Sequence, residues 1–138
     1  MRVSQRLDYA LRGLVALAQR PPGTAVAAGE LADSLSLPRR FLEQQFTALA
    51  QGGLLDCRRG AGGGCTLARP AGSVSVADVV QALEGSAMDV PRTSGTVVSD
   101  MWADVARSLD GLLASVTLAD LASRQDRLDA SREAIYYI

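Results

Sequence analysis

No lysine and no histidine occur among the 138 residues, so all 14 positive charges are arginine. Those two absences remove the commonest general base and the Schiff-base nucleophile. The 15 acids fall on separate polar helix faces, at spacings typical of solvated surface, so no active site is expected and the chain reads as a non-enzyme. Cysteine occurs twice, at Cys57 and Cys65, too rarely for a disulfide framework. Two thiols without histidine also leave a four-ligand metal site unfilled within one chain, so neither metal nor cofactor is expected. Aromatics make up only 4%, yet 48% hydrophobic and 21% charged residues are ordinary for a globular protein. No apolar run approaches the ~18 residues that a membrane span needs. The first twenty residues carry Arg2, Arg6, Asp8, Arg12 and Arg20 through their apolar positions instead of a signal peptide's uninterrupted core. A reducing cytoplasm and no membrane partner are the expectation.

What is present is unevenly distributed. Residues 1–69 hold nine arginines against five acids, a net +4, whereas residues 70–138 hold five against ten, a net −5. The overall charge of −1 therefore hides a basic half suited to a polyanion. A chain of this length makes one folding unit with a modest extension.

Ser4 stands where an N-cap is wanted, and Leu7, Leu11, Leu14, Val15 and Ala18 then recur at helical spacing until Pro21-Pro22-Gly23. Ala27 to Ser34 predicts a short second helix, weakened by Gly29 and by the lack of a capping hydroxyl at Ala27. Pro38 fits only the first turn of a helix, so a third helix starts there and runs to about Gln51, where Gly52-Gly53 closes it. Its apolar stripe is Phe41, Leu42, Gln45, Phe46 and Leu49. Leu54 to Arg58 and Gly64 to Ala68 read as paired strands around the loop Arg59 to Gly63. Ser75 and Asp78 make a capping pattern for a helix that Gly85 ends. Residues 86–96, SAMDVPRTSGT, lack periodicity and read as a loop. From Val98 onward, Met101, Trp102, Val105, Leu109, Leu112, Leu113 and Val116 trace an apolar seam along about 18 residues, roughly 27 Å and the longest helix expected. Thr117 and Asp120 start a short last helix that fades into a polar tail.

The fold class is therefore mainly α with a small β-hairpin: a winged helix-turn-helix plus a long C-terminal dimerisation helix. Residues 1–85 form the winged helix-turn-helix region, 86–96 the loop, and 97–138 the dimerisation helix and tail. A long apolar helix outside a small domain reads as a homodimer interface, with packing onto its own domain as the alternative.

A helix lying in the major groove reads bases near its N-terminal end, where Arg39, Arg40, Phe41, Glu43, Gln44 and Thr47 stand. Arg suits guanine, Gln adenine and Glu the cytosine amino group, while Phe41 can touch a thymine methyl. The competing reading makes Arg39 and Glu43 an i,i+4 surface pair and Phe41 a core residue. Arg58 and Arg59, among Gly60, Gly62, Gly63 and Gly64, suit a hairpin tip that approaches phosphates or a minor groove. A nucleotide cradle lacks its Walker lysine and hydroxyl. Pairing symmetric about residue 61 sets Cys57 opposite Cys65 across this wing, where they read as small buried or half-buried thiols, with a reversible disulfide as the alternative.

These stretches together resemble the Rrf-two family of winged-helix transcription regulators. The resemblance is carried by MRVSQRLDYALRGL, FLEQQF, GGLL followed by RRGAGGGCTLARP, VADVVQALEG, and MWADV with VTLADLA, and it covers nearly the whole chain. It implies a homodimer on double-stranded DNA at a pseudo-palindromic operator, with long helices crossing between protomers. It also implies DNA approach by positions matching Arg40, Phe41, Glu43, Gln44 and Arg59, and backbone contact by Arg2, Ser4 and Arg6. Cluster-binding members carry three cysteines between the ALEG helix and the long helix, but SAMDVPRTSGT has none. Asp8 matches an extra cluster ligand of one member and stands alone here, so no iron-sulfur cluster is expected. The expectation is a sequence-specific repressor answering to a small-molecule effector, a protein effector, or oxidation of Cys57 and Cys65. Its rival is a dimeric protein-interaction adaptor of the same fold that does not bind DNA.

Overall fold

The computed structural model describes residues 1–90 and 95–136. Six helices and one hairpin follow in the order α1 (Gln5–Ala18), α2 (Ala28–Leu35), α3 (Arg39–Gln51), β1 (Leu55–Arg58), β2 (Gly64–Leu67), α4 (Val76–Glu84), α5 (Val97–Ala114) and α6 (Leu118–Tyr136). A short 3-10 turn, Ala71–Ser73, precedes α4.

Ser4 caps α1 by accepting from the Leu7 amide at 3.1 Å, and one face of the helix buries Leu7, Ala10, Leu14 and Leu17. Gly13 belongs to that face because a Cβ there would lie 2.9 Å from the Phe46 ring of α3. The link from α2 to α3 is short. Ser36 adopts the left-handed conformation at φ 55°, and the Leu37 amide reaches back to the Ala32 carbonyl at 2.8 Å, satisfying helix-end groups that would otherwise lack partners. Pro38 then supplies the N-cap position of α3, with no side-chain hydrogen bond. Leu42, Phe46 and Leu49 enter the core with Leu14, Leu31 and Val79.

β1 and β2 are antiparallel, pairing Leu55 with Leu67, Asp56 with Thr66, Cys57 with Cys65 and Arg58 with Gly64. Val26 adds an antiparallel bridge to Cys65 on the other side of β2. Mutual hydrogen bonds of 3.1 and 2.9 Å hold Val26 and Cys65 together, so β2 is fastened to the body of the domain through Val26, while β1 is anchored at Leu55, buried in the core beside α3. The predicted capping box of α4 is present: the Asp78 amide donates to Ser75 Oγ at 3.1 Å and the Ser75 amide to Asp78 Oδ2 at 2.9 Å.

Two findings differ from the expected C-terminal half. The helix opened by Thr117 and Asp120 is not short. It spans 19 residues and exceeds the 18 of α5. It stays helical because Leu118 and Ala122 are buried and its polar side chains hold α1: Gln19 Nε2 donates to Asp126 Oδ1 at 2.8 Å and to Asp129 Oδ2 at 3.2 Å. The seam on α5 also divides. Leu113 and Val116 pack against the core and Leu109 is half-buried, whereas Met101, Trp102, Val105 and Leu112 are exposed. No residue of α5 is fully buried.

The bases of α4 and α6 are clipped together. Ser75 bridges Thr117, the Val76 amide donates to the Val116 carbonyl at 2.8 Å, and the Leu118 amide to the Val74 carbonyl at 2.9 Å. Of the expected loop 86–96, residues 86–90 and 95–96 are irregular, and residues 91–94 lie outside the described residues.

Candidate nucleic-acid interface

Helix periodicity divides α3 into two working faces. Leu42, Gln45, Phe46 and Leu49 are buried, which leaves Arg40, Glu43, Gln44 and Thr47 exposed along the other side. Those four residues present the donor and acceptor mixture that base edges demand. Thr47 Oγ1 donates to the Glu43 carbonyl at 3.0 Å, which fixes its hydroxyl near the helix surface.

Arg39 stands apart from that row. Its guanidinium lies over α2, with Cζ 2.9 Å from where a Cβ on Gly29 would stand, and Nε is 3.7 Å from Asp33 Oδ1. The i,i+4 pairing of Arg39 with Glu43 is thus corrected: the acid facing Arg39 is Asp33, reached because glycine at position 29 leaves room for the guanidinium. Both side chains remain about 60% exposed, so the pair is weak. Phe41 is half-buried instead of core, and the edge of its ring meets Tyr9 of α1 at 5.7 Å between centroids and 86° between planes.

The hairpin tip exposes Arg58 and Arg59. Gly60, Gly62 and Gly64 all have positive φ, of 93°, 75° and 136°, a conformation that side chains with a Cβ resist. The Gly63 amide closes the turn on the Gly60 carbonyl at 2.9 Å. A Cβ on Gly64 would lie 2.8 Å from the Val26 carbonyl carbon, so the wing needs glycine there both for φ and for close packing. Cys57 and Cys65, facing one another in the ladder, are joined as a disulfide. Cys57 is exposed and Cys65 is buried; neither is a free thiol.

At the start of α1, the three residues matched to backbone contact differ in availability. Arg2 is exposed. Ser4 Oγ donates to Glu84 Oε1, and Arg6 Nη2 lies 2.6 Å from Glu84 Oε2. These partners hold the Glu84 carboxyl below its ordinary value, the Ser4 hydrogen bond first and Arg6 second. Glu84 is a site neighbour that the sequence did not reveal, because its partners lie 78 and 80 residues away.

The family profile for Rrf2, described as an iron-dependent transcriptional regulator, matches residues 3–124. A Mycobacterium tuberculosis protein named as an HTH-type transcriptional regulator is 34% identical over 131 residues, spanning 88% of this chain and 81% of that one. Among solved structures, CymR, the global cysteine regulator of B. subtilis, superposes with a TM-score of 0.79 at 27% identity, covering 90% of this chain and 98% of the other. T. potens IscR gives 0.77 at 31% identity, covering 91% and 88%. The donor set here does not fit iron. Among the described residues no three cysteines, aspartates or glutamates converge on a metal position, Cys57 and Cys65 occupy each other, and Asp8 pairs with Arg12 at 3.0 Å.

Proposed function

The chain belongs to the Rrf2 family and is a DNA-binding transcriptional regulator, and we propose that it acts as a homodimeric repressor on a pseudo-palindromic operator. The observation that carries this reading is the row Arg40, Glu43, Gln44 and Thr47, left open on α3 while the opposite face of the helix is consumed by the core. In the groove, Arg40 takes guanine O6 and N7, Gln44 pairs with adenine, and Glu43 accepts from cytosine. Arg58 and Arg59 neutralise phosphate beside that helix or enter the adjoining minor groove. The basic half faces the polyanion, and the acidic half discourages the molecule from lying on DNA the other way round.

Dimerisation is supported by α5, whose Met101, Trp102, Val105 and Leu112 are exposed in the single chain. A second copy of the same seam would cover them by two-fold symmetry, and two α3 helices about one DNA turn apart, roughly 34 Å, read the two half-sites. This activity belongs in the cytoplasm with the chromosome; no helix among the described residues is long and apolar enough to cross a membrane. Because the donor set does not fit iron, regulation runs without an iron-sulfur cluster. Selection of genomic fragments by the purified protein, followed by footprinting, tests the proposal. Two protected half-sites with dyad symmetry are expected; no protected fragment anywhere in the genome would overturn it in favour of a dimeric adaptor.

A further inference from the structure

The wing holds the only two cysteines in the chain, and they face each other across it. Cys65 spends its amide and carbonyl on Val26, on the side of β2 away from β1, so Cys57 and Cys65 form a non-hydrogen-bonded antiparallel pair. In such pairs the two backbones approach most closely; here the Cα atoms are 4.1 Å apart. Direct cross-strand bonding of the sulfurs follows from that register.

The two strands are not equally secured. β2 is tied to the body by the Val26 bridge, by the tight approach of Gly64 to Val26 and by burial of Cys65. Leu55 of β1 is buried in the core beside α3, but beyond it Asp56, Cys57 and Arg58 are exposed. The sulfur bridge thus fastens the exposed end of β1, which leads into Arg58 and Arg59, to the buried Cys65 of β2. Past the bridge, the tip is Arg59, Gly60, Ala61, Gly62 and Gly63, a run whose conformational freedom is large unless its ends are fixed.

We propose that the Cys57–Cys65 disulfide is a redox switch on the wing: oxidised, it holds Arg58 and Arg59 in position for DNA; reduced, it lets them wander and weakens operator binding. This rests on the reading of the wing as part of the DNA interface. A small thiol is the reductant. Its thiolate attacks the exposed Cys57 sulfur, the sulfur–sulfur bond breaks, and Cys65 leaves as thiolate and takes a proton. A second reductant thiolate attacks the reductant sulfur of that mixed disulfide, releasing Cys57 as thiolate and a small disulfide. Two electrons pass from two reductant thiols to the two protein sulfurs. A small-molecule disulfide runs the same steps backwards.

The test uses full-length protein and a genomic fragment it selects, with anisotropy titrations in dithiothreitol and in oxidised glutathione, and intact mass to confirm the loss of two hydrogens on oxidation. Wild type is expected to bind about tenfold more tightly when oxidised, the value of immobilising roughly one loop residue. Cys57→Ser, at an exposed position, should bind alike in both buffers and match reduced wild type; Cys57→Ala repeats the measurement without a hydroxyl. Equal wild-type affinities with the mass change confirmed would overturn the switch while leaving DNA binding intact. Failure of the mass to change in oxidised glutathione would also overturn it. Absence of binding in both states would remove the DNA-binding reading itself, and the switch with it.

Discussion

Arg6 Nη2 and Glu84 Oε2 lie 2.6 Å apart, joining the N-terminal end of α1 to the C-terminal end of α4. Ser4 bonds the other carboxylate oxygen, so one acid at the end of α4 serves both the capping serine and a first-turn arginine of α1. Because Glu84 is held below the ordinary carboxyl value of 4.5, the unfolded chain binds its proton more readily than the folded one. This contribution to stability is complete above pH 4.5 and fades as pH falls through the lower folded value. Glu84→Gln is expected to cost about 1 kcal/mol in urea unfolding at pH 7. The deficit should shrink towards zero in acid. A deficit independent of pH would show that the carboxylate charge contributes nothing.

Gly64 carries two requirements at once, φ of 136° and a 2.8 Å approach of any Cβ to the Val26 backbone. Gly64→Ala should therefore destabilise the protein by about 2–4 kcal/mol. Gly23 has φ of 82° but open space around it, so Gly23→Ala should cost only about 1 kcal/mol of backbone strain. Comparison of denaturant midpoints at constant slope separates the two, and equal losses would mean that contact with Val26 is unimportant.

Arg40 and Arg59 should fail differently. Arg40→Ala is expected to weaken operator binding by about 1–3 kcal/mol and relax preference at one base pair of each half-site. Arg59→Ala should weaken all sequences similarly and flatten the salt dependence by about one contact per protomer. With Arg58 and Arg59 from both protomers on phosphate, the log-log salt slope should approach roughly −4; recruitment of Arg39 from Asp33 would bring it near −5. Titrations between low and moderate salt on operator and scrambled DNA measure both quantities.

Charge placed on the open part of α5 should divide the dimer. Val105 and Leu112 are 41% and 64% exposed in the single chain, so Val105→Asp with Leu112→Asp leaves the protomer core untouched. Sedimentation should report a monomer with unchanged circular dichroism, and operator affinity should fall by at least about tenfold as the two half-sites are engaged singly. A stable dimer in the double variant would assign the interface elsewhere.

α3 and the hairpin were legible in the sequence because their punctuation is local. Pro38 opens α3, Gly52 and Gly53 close it, and symmetry about residue 61 aligns Cys57 with Cys65, as the ladder has them. The capping pairs Ser75 with Asp78 and Thr117 with Asp120 were equally readable. α6 was underestimated because its residues after Ala122 are polar on nearly every side, and the partners that hold it, Gln19 among them, lie across the molecule on α1. The partners of Arg39 and Arg6 were illegible for a related reason: Asp33 and Glu84 come within reach only once α2 and α4 are packed.

The clip between Ser75 and Thr117 brings the chain back to the base of α4 at the end of α5, so that, with α4 packed in the core against α1 and α3, the excursion is α5 and the chain that leads into it. Lengthening such an excursion is thermodynamically mild, since doubling a flexible connection costs only about 0.6 kcal/mol. The stretch between α4 and α5 can accordingly be rewritten, in length or in chemistry, without disturbing the spacing of α3 and the hairpin. The molecule is built as a fixed winged-helix body with an exchangeable cartridge, and the cartridge in this chain carries no thiol.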